Sequence, residues 1–153
     1  MAKSTCVYVS YIRTTPEKLW SALTDGEFMK QYWFGAHGES RWTAGSPWKL
    51  LSGDGKVLTS GEIVEATPLK RLIIRWTHEN SPALKDDVPS LLTMELEPFP
   101  SAVKLTLTHS IEREPSKLIE EVSKGWPLVI SNLKSFLETG SIALEDPYPQ
   151  SCA

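Results

Sequence analysis

The sequence predicts an α+β fold in which a curved antiparallel sheet of about six or seven strands wraps round one long C-terminal helix. Three observations favour it: short alternating segments follow one another at hairpin spacing, two short helical segments lie between the first and second strands, and one long helical segment ends the pattern. Such a helix must bury its apolar stripe on the concave face of the sheet. We expect residues 1–153 to form one domain, with a core at about 5–140 and a loose tail at 141–153.

The composition indicates an ordinary globular domain. Apolar residues make up 41% of the 153 residues and charged residues 23%. The net charge of −3, without a basic run, disfavours binding to nucleic acid. No apolar run is long enough to cross a membrane, and the N-terminus lacks the apolar segment of a signal peptide. Because Cys6 and Cys152 have no motif spacing, we expect reduced thiols in a cytoplasmic protein.

The N-terminal part predicts one strand and two helices. Residues 5–13 alternate as a strand with apolar side chains on both faces, so we expect each face to be at least partly covered. Thr15 and Pro16 then form a hydroxyl N-cap with proline at the first helical position. Thr24, with Glu27 three residues later, fits a capping box and predicts the start of the second helix.

The middle of the chain predicts hairpin-linked strands. Residues 53–55, Gly-Asp-Gly, indicate a tight turn, and Gly61 is a candidate β-bulge. The clearest strand is at 72–78, and a polar loop with two prolines follows at 79–89. Two further alternating segments, at 92–97 and 103–109, are typical of antiparallel strands with one solvated face.

The last element is a helix at residues 120–140, within a helical region that starts near Pro115 or Ser116. Its apolar stripe recurs at three- and four-residue spacing: Val122, Trp126, Val129, Ile130, Leu133, Phe136 and Leu137. Gly140 supplies a left-handed C-cap. Pro127 has no N–H to donate within the helix, so we expect a kink or a fresh helix start at that point.

Several segments, covering roughly residues 5–140, resemble a known superfamily. Residues 11–25 resemble the opening signature of START-like (polyketide-cyclase, birch-pollen-allergen-like) domains. Four further segments resemble one branch of this superfamily, which is related to the C-terminal domain of the activator of a heat-shock protein's ATPase. These segments are residues 32–35, 105–110, 125–127 and 132–138. The resemblance implies a helix-grip fold with a cavity between the sheet and the C-terminal helix.

The resemblance implies two kinds of partner. Single-domain relatives are ligand-binding or stress-related proteins, which implies a small hydrophobic or aromatic molecule. The activator branch implies a chaperone, although the eukaryotic activator has a further N-terminal domain for which 153 residues leave no room. We therefore favour a small-molecule binding protein, as a monomer or homodimer. A chaperone-interacting module and a cyclase- or hydrolase-like enzyme are the alternatives.

The tryptophans carry the main signal for a pocket. There are six: Trp20, Trp33, Trp42, Trp48, Trp76 and Trp126. We expect about half to serve core packing only, because large amphipathic rings fill cores as well as pockets. On the inferred fold, the candidates to line a ligand pocket are Trp33, Trp76, Met94, His109, Trp126 and Ile130.

Catalytic and metal-binding patterns are weak. His37, His78 and His109 are far apart, so we predict no metal site, and no motif indicates a cofactor. His109 is interpreted either as a hydrogen-bonded core histidine or as a polar group in the pocket. The strand carboxylates are expected to face water: Glu62, Glu65, Glu95 and Glu97. Without a pocket carboxylate no general acid or base can be named, so the sequence leans against an enzyme.

Overall fold

The computed structural model describes residues 4–77, 89–112 and 116–145. His78, most of the predicted loop at 79–89, and the tail from residue 146, with Cys152, lie outside the described residues. The elements are β1 (Ser4–Ile12), α1 (Pro16–Thr24), α2 (Gly26–Tyr32), β2 (His37–Ser40), β3 (Pro47–Leu51), β4 (Val57–Thr67), β5 (Arg71–Thr77), β6 (Ser90–Pro98), β7 (Val103–Ile111) and α3 (Lys117–Thr139).

The seven strands form one antiparallel sheet in the order β1-β7-β6-β5-β4-β3-β2. Alternate residues of β5, β6 and β7 are buried and face the apolar stripe of α3. One core cluster includes Leu72, Leu105, Leu107 and Leu133, all at most 1% exposed. The predicted α+β helix-grip fold is confirmed.

The two short helices begin at side-chain caps. Thr15 Oγ1 accepts a hydrogen bond from the Lys18 N–H at 3.2 Å, as the sequence predicts. The second cap is Asp25, whose carboxylate accepts from the Glu27 N–H at 3.0 Å. The predicted capping box at Thr24 is wrong, because Thr24 is the last residue of α1 and its hydroxyl donates back to the Trp20 carbonyl.

Gly61 allows two strands to approach closely and is not a bulge. It pairs in register with Trp48 on β3 and Trp76 on β5, while the register shifts fall at Leu50/Leu51 and Ile63/Glu65. A Cβ atom at Gly61 would lie 1.7 Å from the Arg75 carbonyl oxygen. Only glycine fits at that distance.

The outer face of β1 is only partly covered, which agrees with the expectation that each face is at least partly covered. Val7, Val9 and Tyr11 are 59%, 45% and 51% exposed. Their paired positions on β7 carry shorter or polar side chains, such as Thr106 opposite Val9. The aromatic ring of Tyr11 makes an edge contact with Phe99, at 5.5 Å between centroids.

Helix α3 begins at the cap of Ser116, whose hydroxyl accepts from the Ile119 N–H, and ends at Gly140 with φ of 84°. It continues through Pro127, so no second helix begins there. Asn132 holds the chain beyond the helix: its side chain donates to the Leu144 carbonyl and accepts from the Leu144 N–H. The tail is therefore anchored as far as Leu144. No described helix is long and apolar enough to span a membrane.

Candidate functional site

Between the sheet and α3, the side chains that the structure describes pack closely and leave an inner cavity of about 20 Å³. Its lining is apolar or aromatic: Leu23, Met29, Tyr32, Trp33, Trp42, Trp48, Ile74, Leu92, Met94, Trp126, Val129, Ile130 and Leu133. A volume of this size holds about one water molecule, so the inner cavity alone is too small for a metabolite.

A second, more open space lies at the mouth of the sheet and is here named the outer cavity. Its volume is about 200 Å³, and it is lined by Trp33, Leu50, Trp76, Glu121, Val122, Gly125, Trp126 and Val129. Trp33, Trp126 and Val129 line both spaces. These three residues therefore form the partition between the inner and outer cavities.

Local structure sets the positions of the indole rings. Trp33 is the C-cap of α2, where its N–H bonds the Met29 carbonyl and the chain turns toward Phe34, with φ of 50°. Trp126 lies on the buried stripe of α3, and Trp76 on the buried face of β5. The centroid of the Trp126 ring is 5.4 Å from that of Trp33 and 5.9 Å from that of Trp76. Aromatic pairs at these separations pack favourably.

His109 is fully buried behind two of these rings. Its Nδ1 lies 3.1 Å from the Trp126 indole nitrogen, and its Nε2 lies 2.9 Å from Ser90 Oγ. An indole N–H can only donate, so Nδ1 accepts, and the neutral imidazole carries its proton on Nε2 and donates to Ser90. The ring also makes an edge contact with Trp76, at 4.8 Å between centroids. His109 is thus a hydrogen-bonded core histidine that orients Trp126.

The Trp76 indole N–H differs from that of Trp126. Its nitrogen is buried and has no hydrogen-bond partner among the residues that the structure describes, although the ring lines the outer cavity. A buried donor without an acceptor destabilises a fold by about 1–3 kcal/mol. This unpaired donor is a polar feature of the site that the sequence does not reveal.

The other polar groups at the site offer little acid–base chemistry. The Tyr32 hydroxyl donates to the Ala22 carbonyl at 2.8 Å, and burial raises the pKa of Tyr32. Glu121 lies at the rim of the outer cavity and is exposed. Within the described part of the chain, the inner cavity has no carboxylate or histidine in its lining, and no three potential metal ligands cluster.

The structure brings together five of the six residues predicted to line a pocket. Trp33, Met94, Trp126 and Ile130 line the inner cavity, and Trp76 lines the outer one. His109 lines neither. Whether these residues bind a ligand stays a prediction.

The lining also includes residues that were not predicted to line a pocket, among them Trp48, Trp42 and Glu121. Trp48 lies on the buried side of β3, where its alternation with Lys49 is a signal that points inward. Trp42 reaches the inner cavity from a turn, with φ of 58°, and no periodicity predicts that position. Glu121 lies in the N-terminal half of α3 and lines the outer cavity. Of the six tryptophans, Trp33, Trp76 and Trp126 line the outer cavity, Trp42 and Trp48 line the inner cavity alone, and Trp20 lines neither.

Comparisons with solved structures show a shared fold. The chain is similar to protein MLL2253 from Mesorhizobium loti, with 24% identity and a TM-score of 0.78 over 91% of this chain and 100% of that one. It is also similar to the Aha1 dimer from Colwellia psychrerythraea, with 22% identity and a TM-score of 0.70 over 90% of this chain and 98% of that one. A third similar structure is an HSP90 activator from Plasmodium falciparum, with 21% identity and a TM-score of 0.71 over 88% of this chain and 96% of that one.

Comparisons at the sequence level identify the family. A search of curated proteins finds no significant match. Residues 13–138 match the family model described as Activator of Hsp90 ATPase homolog 1-like protein. This match spans most of the chain and agrees with the resemblance of the opening, strand and helix segments. The chain belongs to the family of Activator of Hsp90 ATPase homolog 1-like proteins.

Proposed function

We propose that this protein binds a small, flat, largely apolar molecule in the outer cavity. The observation that carries the proposal is that three indole rings, of Trp33, Trp76 and Trp126, line an open space of about 200 Å³. Indole faces bury a large apolar area against a flat ligand and lose little conformational freedom. Because ligand pockets commonly enclose about 300–1,000 Å³, a molecule of one or two rings suits this site best.

The partition between the two cavities determines how far a ligand can enter. Trp126 is held by its hydrogen bond to His109. Trp33 is half-buried at the end of a seven-residue helix, where fewer contacts fix it. We therefore expect Trp33 to be the ring that moves when a longer ligand extends toward the inner cavity.

A neutral fluorescent probe with two fused rings, 6-propionyl-2-(dimethylamino)naphthalene, tests the proposal. It should show saturable fluorescence enhancement and quench the emission of the indoles around the site. Val122→Trp should abolish this binding, because Val122 lines only the outer cavity and a larger ring would fill it. Val7→Trp is the matched control, since Val7 is exposed on the outer face of β1.

Unchanged binding by Val122→Trp would contradict the assignment to the outer cavity. No saturable binding by the unmodified protein would contradict the proposed function itself. Thermal unfolding of both variants verifies that they fold. An acid–base reaction is not proposed, because the cavity linings among the described residues offer only the exposed Glu121 carboxylate.

Action on a chaperone is a second candidate. The family description names an activator of the Hsp90 ATPase. A surface suited to a protein partner lies outside the cavities, where exposed Val7, Val9, Tyr11 and Phe99 form an apolar patch. The protein should then raise the ATPase rate of Hsp90, and Val9→Glu should reduce that effect. Val64→Glu is the matched control, because Val64 is an exposed residue of β4. An unchanged ATPase rate with excess protein would exclude this candidate.

A further inference from the structure

The ligand of the outer cavity can be specified further from one atom, the indole nitrogen of Trp76. We infer that the ligand is a neutral aromatic molecule with a hydrogen-bond acceptor, such as an aryl ketone, and that the acceptor bonds the Trp76 N–H. This inference rests on the proposed function. It distinguishes aryl ketones from aromatic hydrocarbons and from aromatic carboxylates.

Trp76 carries a donor that the protein leaves unused. Trp126 donates to His109, and Tyr32 donates to Ala22, so these two lining groups are already paired. Within the described ranges 4–77, 89–112 and 116–145, the Trp76 nitrogen has no hydrogen-bond partner, although the ring is only 7% exposed and lines the outer cavity. Because an indole N–H can only donate, the group that completes it must be an acceptor.

The Trp76 N–H has almost no accessible surface, so an acceptor reaches it only after a neighbouring ring shifts. The rings in contact with Trp76 are those of Trp48, His109 and Trp126. An acceptor that enters removes the penalty of an unpaired buried donor, which a hydrocarbon of the same shape cannot do. One hydrogen bond of this kind corresponds to about a tenfold difference in affinity.

The charge of the site favours a neutral acceptor over a carboxylate. Glu121 is the only charged residue that lines the outer cavity, and none lines the inner one, among the residues that the structure describes. A carboxylate ligand would lose its hydration without gaining a cation and would approach a negative charge. A ketone oxygen accepts the same hydrogen bond without either disadvantage.

Three naphthalenes of similar shape test the inference by NMR titration: 2-acetylnaphthalene, 2-isopropylnaphthalene and 2-naphthoate. If each non-hydrogen atom contributes about 0.3 kcal/mol of binding free energy, the dissociation constant of the ketone should be about 1 mM or lower. The ketone should bind about tenfold more tightly than the hydrocarbon, and the carboxylate more weakly than the ketone. In the Glu121→Gln variant, the difference in affinity between the carboxylate and the ketone should be smaller than in the unmodified protein.

Trp76→Phe retains an aromatic ring and removes the N–H. It should bind the ketone and the hydrocarbon with equal affinity. Trp20→Phe is the matched control, because Trp20 lines neither cavity, and it should preserve the tenfold preference. A second readout needs no variant in the site: the indole N–H resonance of Trp76 should move downfield with the ketone and not with the hydrocarbon.

The outcomes separate the inference from the proposed function. Equal affinities of the unmodified protein for ketone and hydrocarbon, or equal shifts of the Trp76 resonance, would overturn the inference and leave the binding function standing. If neither compound binds up to its solubility, the proposed function fails, and the inference fails with it. If Trp76→Phe does not fold, the shift of the Trp76 indole N–H resonance in the unmodified protein tests the inference without that variant.

Discussion

The indole nitrogen of Trp126 lies 3.1 Å from Nδ1 of His109, which joins helix α3 to strand β7 through the core. The other imidazole nitrogen continues this connection to Ser90 on β6. One side chain therefore links the helix to two neighbouring strands. It also fixes the tilt of a ring that separates the two cavities. Stability and the shape of the site thus depend on the same histidine.

Replacing His109 tests that link. His109→Leu should lower the free energy of unfolding by about 2–4 kcal/mol, because the buried Trp126 N–H loses its acceptor and the buried Ser90 hydroxyl loses the donor of the hydrogen bond that it accepts. Chemical denaturation measures the loss. In the double variant with Trp126→Phe the two losses should be less than additive, since both remove one hydrogen bond. Full additivity would show that the two residues are not coupled.

Glu138 should make stability depend on pH. A hydrogen bond from Lys134 and one from the Arg13 N–H hold the pKa of Glu138 below its usual value. Because the folded-state pKa is the lower one, the stabilisation is present above the unfolded-state pKa and is lost as pH falls through the folded-state pKa. Glu138→Gln should lower the free energy of unfolding at pH 7 by about 0.5–1 kcal/mol.

The difference between Glu138→Gln and the unmodified protein should vanish once the carboxyl is protonated in both states. Urea denaturation at several pH values follows this convergence. Glu27→Gln is the control, because Glu27 forms an exposed pair with Lys30 and should change stability little. A constant difference between the two proteins down to strongly acidic pH would rule out the ionic origin.

Gly61 should tolerate no side chain. Gly61→Ala places a Cβ atom 1.7 Å from the Arg75 carbonyl oxygen, so β4 and β5 must separate. We expect a loss of about 2–4 kcal/mol in the free energy of unfolding. Gly53→Ala is the matched control, because the nearest atom to its Cβ would be 3.7 Å away, and stability should change by less than about 0.5 kcal/mol. Similar melting temperatures for the two variants would contradict this account.

The elements predicted most accurately are those whose pattern is set by local geometry. Strands β5, β6 and β7 alternate strictly, and α3 has a helical stripe with Gly140 at its end, so their positions follow from period and cap chemistry. The cap at Asp25 was missed because Thr24, the neighbouring residue, is also a good capping residue. Which of the two begins the helix depends on where α1 ends, a tertiary property.

The candidate site was predictable in its residues and not in its volume. The inward direction of Trp76, Met94 and Trp126 follows from alternation and helical period. The free space of about 20 Å³ inside and 200 Å³ outside depends on ring tilts and on Trp42, which enters from a turn. Whether the Trp76 nitrogen finds a partner depends on the position of every neighbour of that ring. Neither the ring tilts nor these positions can be predicted from the sequence pattern.

The last turns of α3 have a consequence for one edge of the sheet. The ammonium group of Lys134 donates to the Tyr11 carbonyl, and the Glu138 carboxylate accepts from the Arg13 N–H. These are backbone groups at the end of β1, an edge strand of the sheet. Exposed edges allow strands of another molecule to add and begin aggregation. The helix that completes the core therefore also occupies two backbone groups of this edge with charged side chains, so that these groups are not available to a strand of another molecule.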